Sequence, residues 1–259
     1  MYQKPFLKWV GGKTQIIDEV MNKFPREMNN YHEIFLGGGS VLLALLTKHM
    51  NKQIKINGKI FAYDHNTTLI NLFKDLKNNC DSLYSELNII DKQYSSIQTQ
   101  KGMRSPLTLK DALTSKETYY YWIRKQFNHS KESIKKSAMF IFLNKTCFRG
   151  LYRVGPNGFN VPYGHYKSKQ SVPDKNELKK ISNMLHKVEF IKSEFKVSLS
   201  RVKKGDFVYL DPPYVPEYRR SFVSYTKNGF TNQMHNDLFF ITKRLPCNFL
   251  MSNSHSPLI

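Results

Sequence analysis

The stretch His32-Glu33-Ile34-Phe35-Leu36-Gly37-Gly38-Gly39-Ser40-Val41-Leu42-Leu43-Ala44-Leu45-Leu46-Thr47-Lys48-His49 decides the reading of the fold. His32–Leu36 reads as a short buried strand. Three glycines follow it, and Val41–His49 then has helical periodicity, with Ser40 placed to cap its N-terminus. Working outward, Lys59–Tyr63 alternates like a strand and ends at Asp64, after which Thr67–Lys77 is again helical. Upstream, Pro5–Lys13 closes in a Gly-Gly turn before a helical pattern over Ile16–Phe24 that Pro25 stops. Strand, glycine loop, helix, strand, acid, helix is the alternation of an α/β fold built on a parallel sheet.

From about Cys80 the pattern changes. Residues 80–145 are mostly helical in pattern and rich in Lys and Tyr, and Gly150–Tyr166 is dense in Gly, Pro, Tyr and Arg and reads as loop or hairpin. A helical pattern resumes over Asp174–Leu185 with Asp174 as its cap, and Glu189–Ile191, Phe207–Leu210 and Phe249–Met251 read as strands. The expected organisation is a sheet domain drawn from residues 1–78 and 186–259, interrupted by a mainly helical domain over residues 79–185.

The 259 residues include 40 Lys plus Arg against 20 Asp plus Glu, a net charge of +20. Residues 101–204 hold 23 of the basic and 7 of the acidic residues, so +16 of the excess is regional. Clustered cations repel one another in a compact fold and gain when they release counterions from a polyphosphate. Apolar residues at 40% and aromatics at 14% exclude a disordered chain. The longest apolar runs, Val41–Leu46 and Ala138–Leu143, are too short to span a bilayer, and the N-terminus lacks a signal-peptide stretch, so no membrane partner is expected. Cys80, Cys147 and Cys247 lie far apart without a C-x-x-C pair, which argues against a disulfide scaffold or zinc site and for a reducing, cytoplasmic setting.

Three constellations carry chemistry. In Phe35–Ser40, glycines after a strand let a ligand approach the backbone, and the helix N-terminus beyond offers free N–H groups. Asp64, 25 residues beyond Gly39, ends the next strand and suits a ribose or a cationic group; the alternative is a tight turn that only needs positive φ. Leu42 stands where a dinucleotide fingerprint wants glycine, which speaks against NAD. Phe6-Leu7-Lys8-Trp9-Val10-Gly11-Gly12-Lys13 combines a ring, a close backbone approach and a cation. Asp211-Pro212-Pro213-Tyr214 directly follows the apolar strand Phe207–Leu210, at the strand end where α/β sheets place their ligands.

Taken in order, Lys8–Lys13, Phe35–Ser40, Asp64 and Asp211–Tyr214 resemble the motifs of the Dam-type DNA adenine-N6 methyltransferases, a site-specific family of bacteria, phages and large DNA viruses. Asn144–Arg153 and Gly158–Tyr166 are similar to that family's target-recognition segment, and the likeness runs from Pro5 to Asn253. The resemblance implies a Rossmann-like methyltransferase sheet with an inserted DNA-recognition domain. It implies S-adenosylmethionine as cosubstrate, no metal, double-stranded DNA as partner and a cognate restriction endonuclease as a further one. Asp211 and the Pro212 carbonyl would accept hydrogen bonds from adenine N6, with Pro213 fixing the backbone and Tyr214 stacking on the base after it flips from the duplex. Trp9, Lys13, Asp64 and Asp211 match cofactor-binding positions; Phe35 joins them, and Gly37 and Gly39 line the methionine part.

On the same resemblance, Arg149, Leu151, Arg153, Pro162, His165 and Tyr166 fall in the region that reads DNA. Arg153 is the expected guanine-binding fork, with a phosphate contact as its alternative. Lys167, Lys169, Lys179 and Lys180 read as phosphate contacts or solvated charge, and Tyr119–Trp122 as helical core. Arg149 stands where many GATC-specific members carry Asn, so the expected target is a short palindrome, GATC or CATG-like. Family members usually continue past Ser252-Asn253, whereas this sequence ends at Ile259; the alternative expectation is a catalytically impaired, truncated DNA-binding remnant.

Overall fold

The computed structural model describes residues 1–168, 170–214 and 230–253. In chain order the elements are α1 (Ile17–Asn22), β1 (Glu27–Met28), β2 (Tyr31–Glu33), α2 (Ser40–Met50), β3 (Lys55–Ile56), β4 (Ile60–Asp64), α3 (Thr67–Asn78), α4 (Cys80–Ser96), α5 (Leu109–Ala112), α6 (Lys116–His129) and α7 (Ile134–Thr146). There follow β5 (Val154–Gly155), β6 (Gly158–Phe159), α8 (Lys175–Leu185), β7 (Val188–Lys192), α9 (Phe195–Leu199), β8 (Phe207–Leu210), α10 (Asn232–Thr242) and β9 (Asn248–Met251).

The chain divides into two compact units, one of Met1–Pro5, Gly11–Ile70 and Met184–Ile259, the other of Phe6–Val10 and Asn71–Asn183. This differs from the expected division, which put Phe6–Val10 with the sheet. Asn144 on α7 holds that segment by both faces of one peptide: Lys8 N–H donates to its Oδ1 at 2.8 Å, and its Nδ2 donates to the Lys8 carbonyl at 2.7 Å.

In the first unit five strands pair in parallel in the order β7-β4-β2-β8-β9. The chain steps outward from β2 to β4 to β7, then returns to the other side of β2 for β8 and β9. Direction therefore reverses between β2 and β8, and loops leaving the carboxyl ends of two such strands diverge to leave a crevice. Every residue of β2 and β8 is buried, as central parallel strands require. On α2, Val41–Leu46 are all buried, the signature of a helix covered on every side. Ile34, Tyr63, Val208 and Leu210 from the sheet pack with Phe195 and Leu199 of α9 and Leu238 of α10.

Most of the expected elements form, with shifted ends. β2 stops at Glu33 instead of Leu36, because the chain begins to turn there, although Ile34 and Leu36 still donate to Tyr209 and Tyr63 carbonyls at 3.1 and 2.8 Å. The structure adds the α9 and α10 helices and the small parallel pair β1–β3 to the elements expected from the sequence.

The second unit is helical, as expected for residues 80–145. Tyr119, Tyr120 and Tyr121 of α6 are buried; the Tyr119 hydroxyl donates to Gln93 Oε1 and that of Tyr120 to the Val161 carbonyl, each at 2.7 Å. The loop-or-hairpin segment contains the antiparallel pair β5–β6, joining Val154 to Phe159 and Gly155 to Gly158. Asp174 caps α8 as expected, its Oδ1 accepting the Glu177 N–H at 2.8 Å.

Candidate functional site

Beyond β2 the chain reverses over Leu36–Gly39, where Gly39 N–H donates to the Leu36 carbonyl at 2.9 Å. Gly37 and Gly39 sit at φ 49° and 74°, the left-handed region that a residue without Cβ enters freely. Gly39 is the residue that precedes α2, and Ser40 is its first helical residue. The expected Ser40 cap is therefore corrected: Ser40 Oγ accepts the Lys13 N–H at 3.1 Å instead.

Asp64 closes β4 beside this turn. Its Oδ2 accepts the Gly37 N–H at 3.0 Å and its Oδ1 the Asn66 N–H at 2.9 Å, which fixes the carboxyl against the glycine loop. Burial raises its pKa, and the hydrogen bonds from Asn66 and Gly37 oppose that rise. Phe35, half-buried, lies 6.2 Å from the Phe195 ring and edge-on to Phe230 at 5.8 Å.

Across the reversal point, β8 delivers Asp211. Lys13 Nζ lies 2.5 Å from Asp211 Oδ2, donates to the Gly11 carbonyl at 2.7 Å, and sits 5.1 Å from the centre of the Tyr214 ring. The Lys13 side chain is 5% exposed and that of Asp211 20%, so each charge depends on the other. Burial pushes the Asp211 carboxyl above the usual carboxylate range, while the Lys13 ammonium and a hydrogen bond from Tyr214 pull it back. Pro212 is buried and Pro213 half-buried between them. Lys13, Phe35, Gly37, Gly39, Asp64, Asp211 and Tyr214 thus all belong to the first unit, at the carboxyl ends of β2, β4 and β8.

Trp9 is not among them. It belongs to the second unit, where its ring stacks on Tyr152 at 5.7 Å and meets Phe140 edge-on at 6.4 Å.

Sequence reasoning missed a second acid. Glu33, 1% exposed, accepts from the Tyr31 hydroxyl at 2.7 Å and stands in register with Tyr209 on β8, two residues before Asp211. Burial drives its pKa to about 8, and the Asp211 charge adds to the rise. The Tyr209 hydroxyl pairs with Ser252 Oγ at 2.7 Å. The signal was present: an acid inside the otherwise apolar run before the glycines.

In the second unit the expected reading residues gather on the hairpin and its flanks. Arg149, Arg153, Pro162 and His165 are exposed, and Leu151 and Tyr166 are half-buried. Arg149 and His165 adopt φ 55° and 43°; with Lys52 they are the positive-φ residues other than glycine among the described residues. Such strain costs about 1–2 kcal/mol each and concentrates where function imposes a geometry. Arg153, exposed, donates Nε to Asn160 Oδ1 at 2.7 Å and NH2 to the Asn160 carbonyl at 3.3 Å, which orients the guanidinium. The Tyr166 hydroxyl donates to the Cys147 carbonyl at 2.9 Å, with Lys8 Nζ 4.4 Å from its ring centre, so Tyr166 braces this segment. Lys179 lies 3.6 Å from Asp81, whereas Lys169 lies outside the described residues.

A family model described as D12 class N6 adenine-specific DNA methyltransferase matches residues 9–259. A type II methyltransferase, M.MjaIII of Methanocaldococcus jannaschii, is 36% identical over 99% of this chain and 86% of its own length. Another, M1.LlaDCHI of Lactococcus lactis subsp. cremoris, is 30% identical over 98% and 82%. A DNA adenine methylase of Haemophilus influenzae is 32% identical over 88% and 70%.

Proposed function

The chain belongs to the D12 class N6 adenine-specific DNA methyltransferases, and we propose that its first unit carries the transfer to adenine N6 while its second unit selects a short palindrome on duplex DNA. The observation that carries the assignment of the site is the Lys13–Asp211 pair at the reversal point of the sheet, beside the Gly37–Asp64 hydrogen bond.

The residues present fit S-adenosylmethionine. Asp64, pinned by two backbone donors, keeps free lone pairs for ribose hydroxyls. Phe35, Phe195 and Phe230 offer apolar faces to a heterocycle. Next to Phe230 lies the buried imidazole of His235, neither of whose nitrogens has a partner among the described residues; a heterocyclic nitrogen would supply one. Lys13 and the open turn at Gly37 and Gly39 suit the amino-acid end. When bound, this group supplies an electrophilic methyl on a positively charged sulfur.

Adenine N6 is a weak nucleophile because its lone pair is delocalised into the ring. Asp211 accepts one N6 hydrogen bond and the Pro212 carbonyl another, which turns the lone pair toward the methyl. With S-adenosylmethionine bound, the N6–carbon bond would form as the carbon–sulfur bond breaks, the thioether S-adenosylhomocysteine would leave, and the N6 proton would pass by way of Asp211 to solvent. Asp211 accepts as a carboxylate, and the Lys13 ammonium favours that form against the burial that raises its pKa. Tyr214 stacks on the flipped base, and positioning contributes the larger part of the rate. In the second unit, Arg153, oriented by Asn160, contacts guanine or phosphate, and Arg149, Leu151, Pro162, His165 and Tyr166 belong to the same DNA-reading segment. Arg149 in place of Asn favours a CATG-like over a GATC target. A cognate endonuclease is the further partner, supported by the type II names of two relatives.

The test is transfer of label from S-adenosylmethionine to duplexes holding GATC, CATG or neither. Adenine labelled in one palindrome only, and lost with Asp211→Ala, is expected. No label from folded protein would overturn the reading, and so would a DNA-binding chain that never transfers.

A further inference from the structure

Glu117 lies in the first turn of α6 and is 4% exposed. A buried carboxylate requires partners, and its partners are unusual. Arg104 Nε lies 3.1 Å from Oε1, His165 Nε2 lies 3.5 Å from the same oxygen, and the Gly102 N–H reaches Oε2 at 3.4 Å. One buried oxygen therefore joins two groups that point outward: the Arg104 side chain is 67% exposed and that of His165 44%.

The surroundings hold this geometry. Residues 99–104 run alongside the start of α6. The Thr99 carbonyl accepts the Lys116 N–H at 2.8 Å and the Gln100 carbonyl the Glu117 N–H at 3.0 Å, while Ser115 Oγ accepts from Thr118 at 3.1 Å. The helix N-terminus is thus satisfied by the segment that carries Arg104. A Cβ on Gly102 would collide with Ser115 Oγ and Thr118 Oγ1, so the segment approaches as closely as glycine permits. His165 is held in its left-handed conformation, its ring edge-on to Tyr163 at 4.9 Å. Arg104 also lies 5.8 Å from the Tyr121 ring centre.

We propose that Glu117 is a positioning residue of the DNA interface, whose carboxylate ties Arg104 to His165, and that Arg104 is a phosphate contact alongside the recognition hairpin. The proposal rests on the reading of the hairpin as the DNA-binding segment, and it adds two residues, Arg104 and Glu117, that the motifs do not contain.

Binding of the full chain to a labelled duplex bearing its methylated site, measured across a salt series, tests it. Arg104→Ala should weaken cognate and non-cognate duplexes alike, by about tenfold, and flatten the slope of log K against log salt by about 0.9. Glu117→Gln should also weaken binding, although it removes a negative charge; an acid that merely faced the polyanion would give tighter binding when neutralised. In the double variant the second change should add little, because both act through one contact. Arg104→Ala with wild-type affinity and slope overturns the proposal, as does tighter binding by Glu117→Gln. Arg104 is exposed, so its variant decides the matter even if Glu117→Gln fails to fold. A wild-type chain that neither binds nor methylates duplex refutes the functional reading itself, a result distinct from unaffected variants of an active chain.

Discussion

At Asp211 two effects oppose each other on one carboxyl: burial raises its pKa and the Lys13 ammonium lowers it. Removing the ammonium leaves burial unopposed. Lys13→Met should therefore move the acid limb of the kcat/KM profile to higher pH, beyond any loss of cofactor affinity; a profile with an unmoved limb would separate Lys13 from Asp211 function. Glu33 makes the complementary case for stability. Its folded pKa of about 8 stands above its ordinary 4.5, so its contribution is full below about pH 4.5 and is lost as pH rises through about 8. Glu33→Gln should flatten that part of the pH dependence, so the urea midpoints of wild type and variant should converge or cross between pH 5 and 8. Parallel midpoints across that window would show that Glu33 does not carry its proton into the folded state. Asp211 was legible because an acid followed by two prolines after an apolar strand is rare. Glu33 was hidden because a strand reading treats an isolated acid as noise, and only the parallel register with Tyr209 reveals what it faces.

Among the elements, α2 links the glycine turn to the interior. Leu42 is fully buried on it. Leu42→Ala should cost about 2–5 kcal/mol in urea unfolding; a loss below 1 kcal/mol would mean that this helix is less tightly enclosed than its burial indicates. The sequence pattern placed β8 at its observed limits because four apolar residues run unbroken into Asp211. It assigns the cap of α2 to Ser40, which has the residue type of a cap, whereas left-handed Gly39 holds that position and Ser40 is the first helical residue. It passed over α10, whose start is marked by Thr231, the acceptor of Met234 N–H at 3.2 Å, because four of its apolar residues run together over Leu238–Ile241 instead of recurring at helical spacing. The hairpin was located by composition, yet the left-handed conformations of Arg149 and His165 carry no mark in the residue types themselves.

For the molecule as a whole, the charge concentrated over residues 101–204 sets an expectation in salt. Not all of it is free: Lys175 and Lys179 face Asp81, and burial lowers the pKa of Lys145. If six or more phosphates are neutralised, affinity should fall by about a thousandfold or more between 50 and 200 mM salt. A flat titration would assign the cations to solubility alone.

The strand order has a consequence for how the protein is made. A ribosome delivers β2 and β4 within the first 64 residues, but β8, which pairs with the other side of β2, begins only at Phe207. At bacterial rates of about 5–20 residues per second, that edge of β2 waits roughly 7–30 seconds for its partner. During that interval a nascent chain offers unpaired backbone groups flanked by apolar side chains to any neighbour on the polysome. Chains released before Phe207 should therefore be recovered with chaperones or in aggregates, whereas chains extended past Met251 can close the sheet.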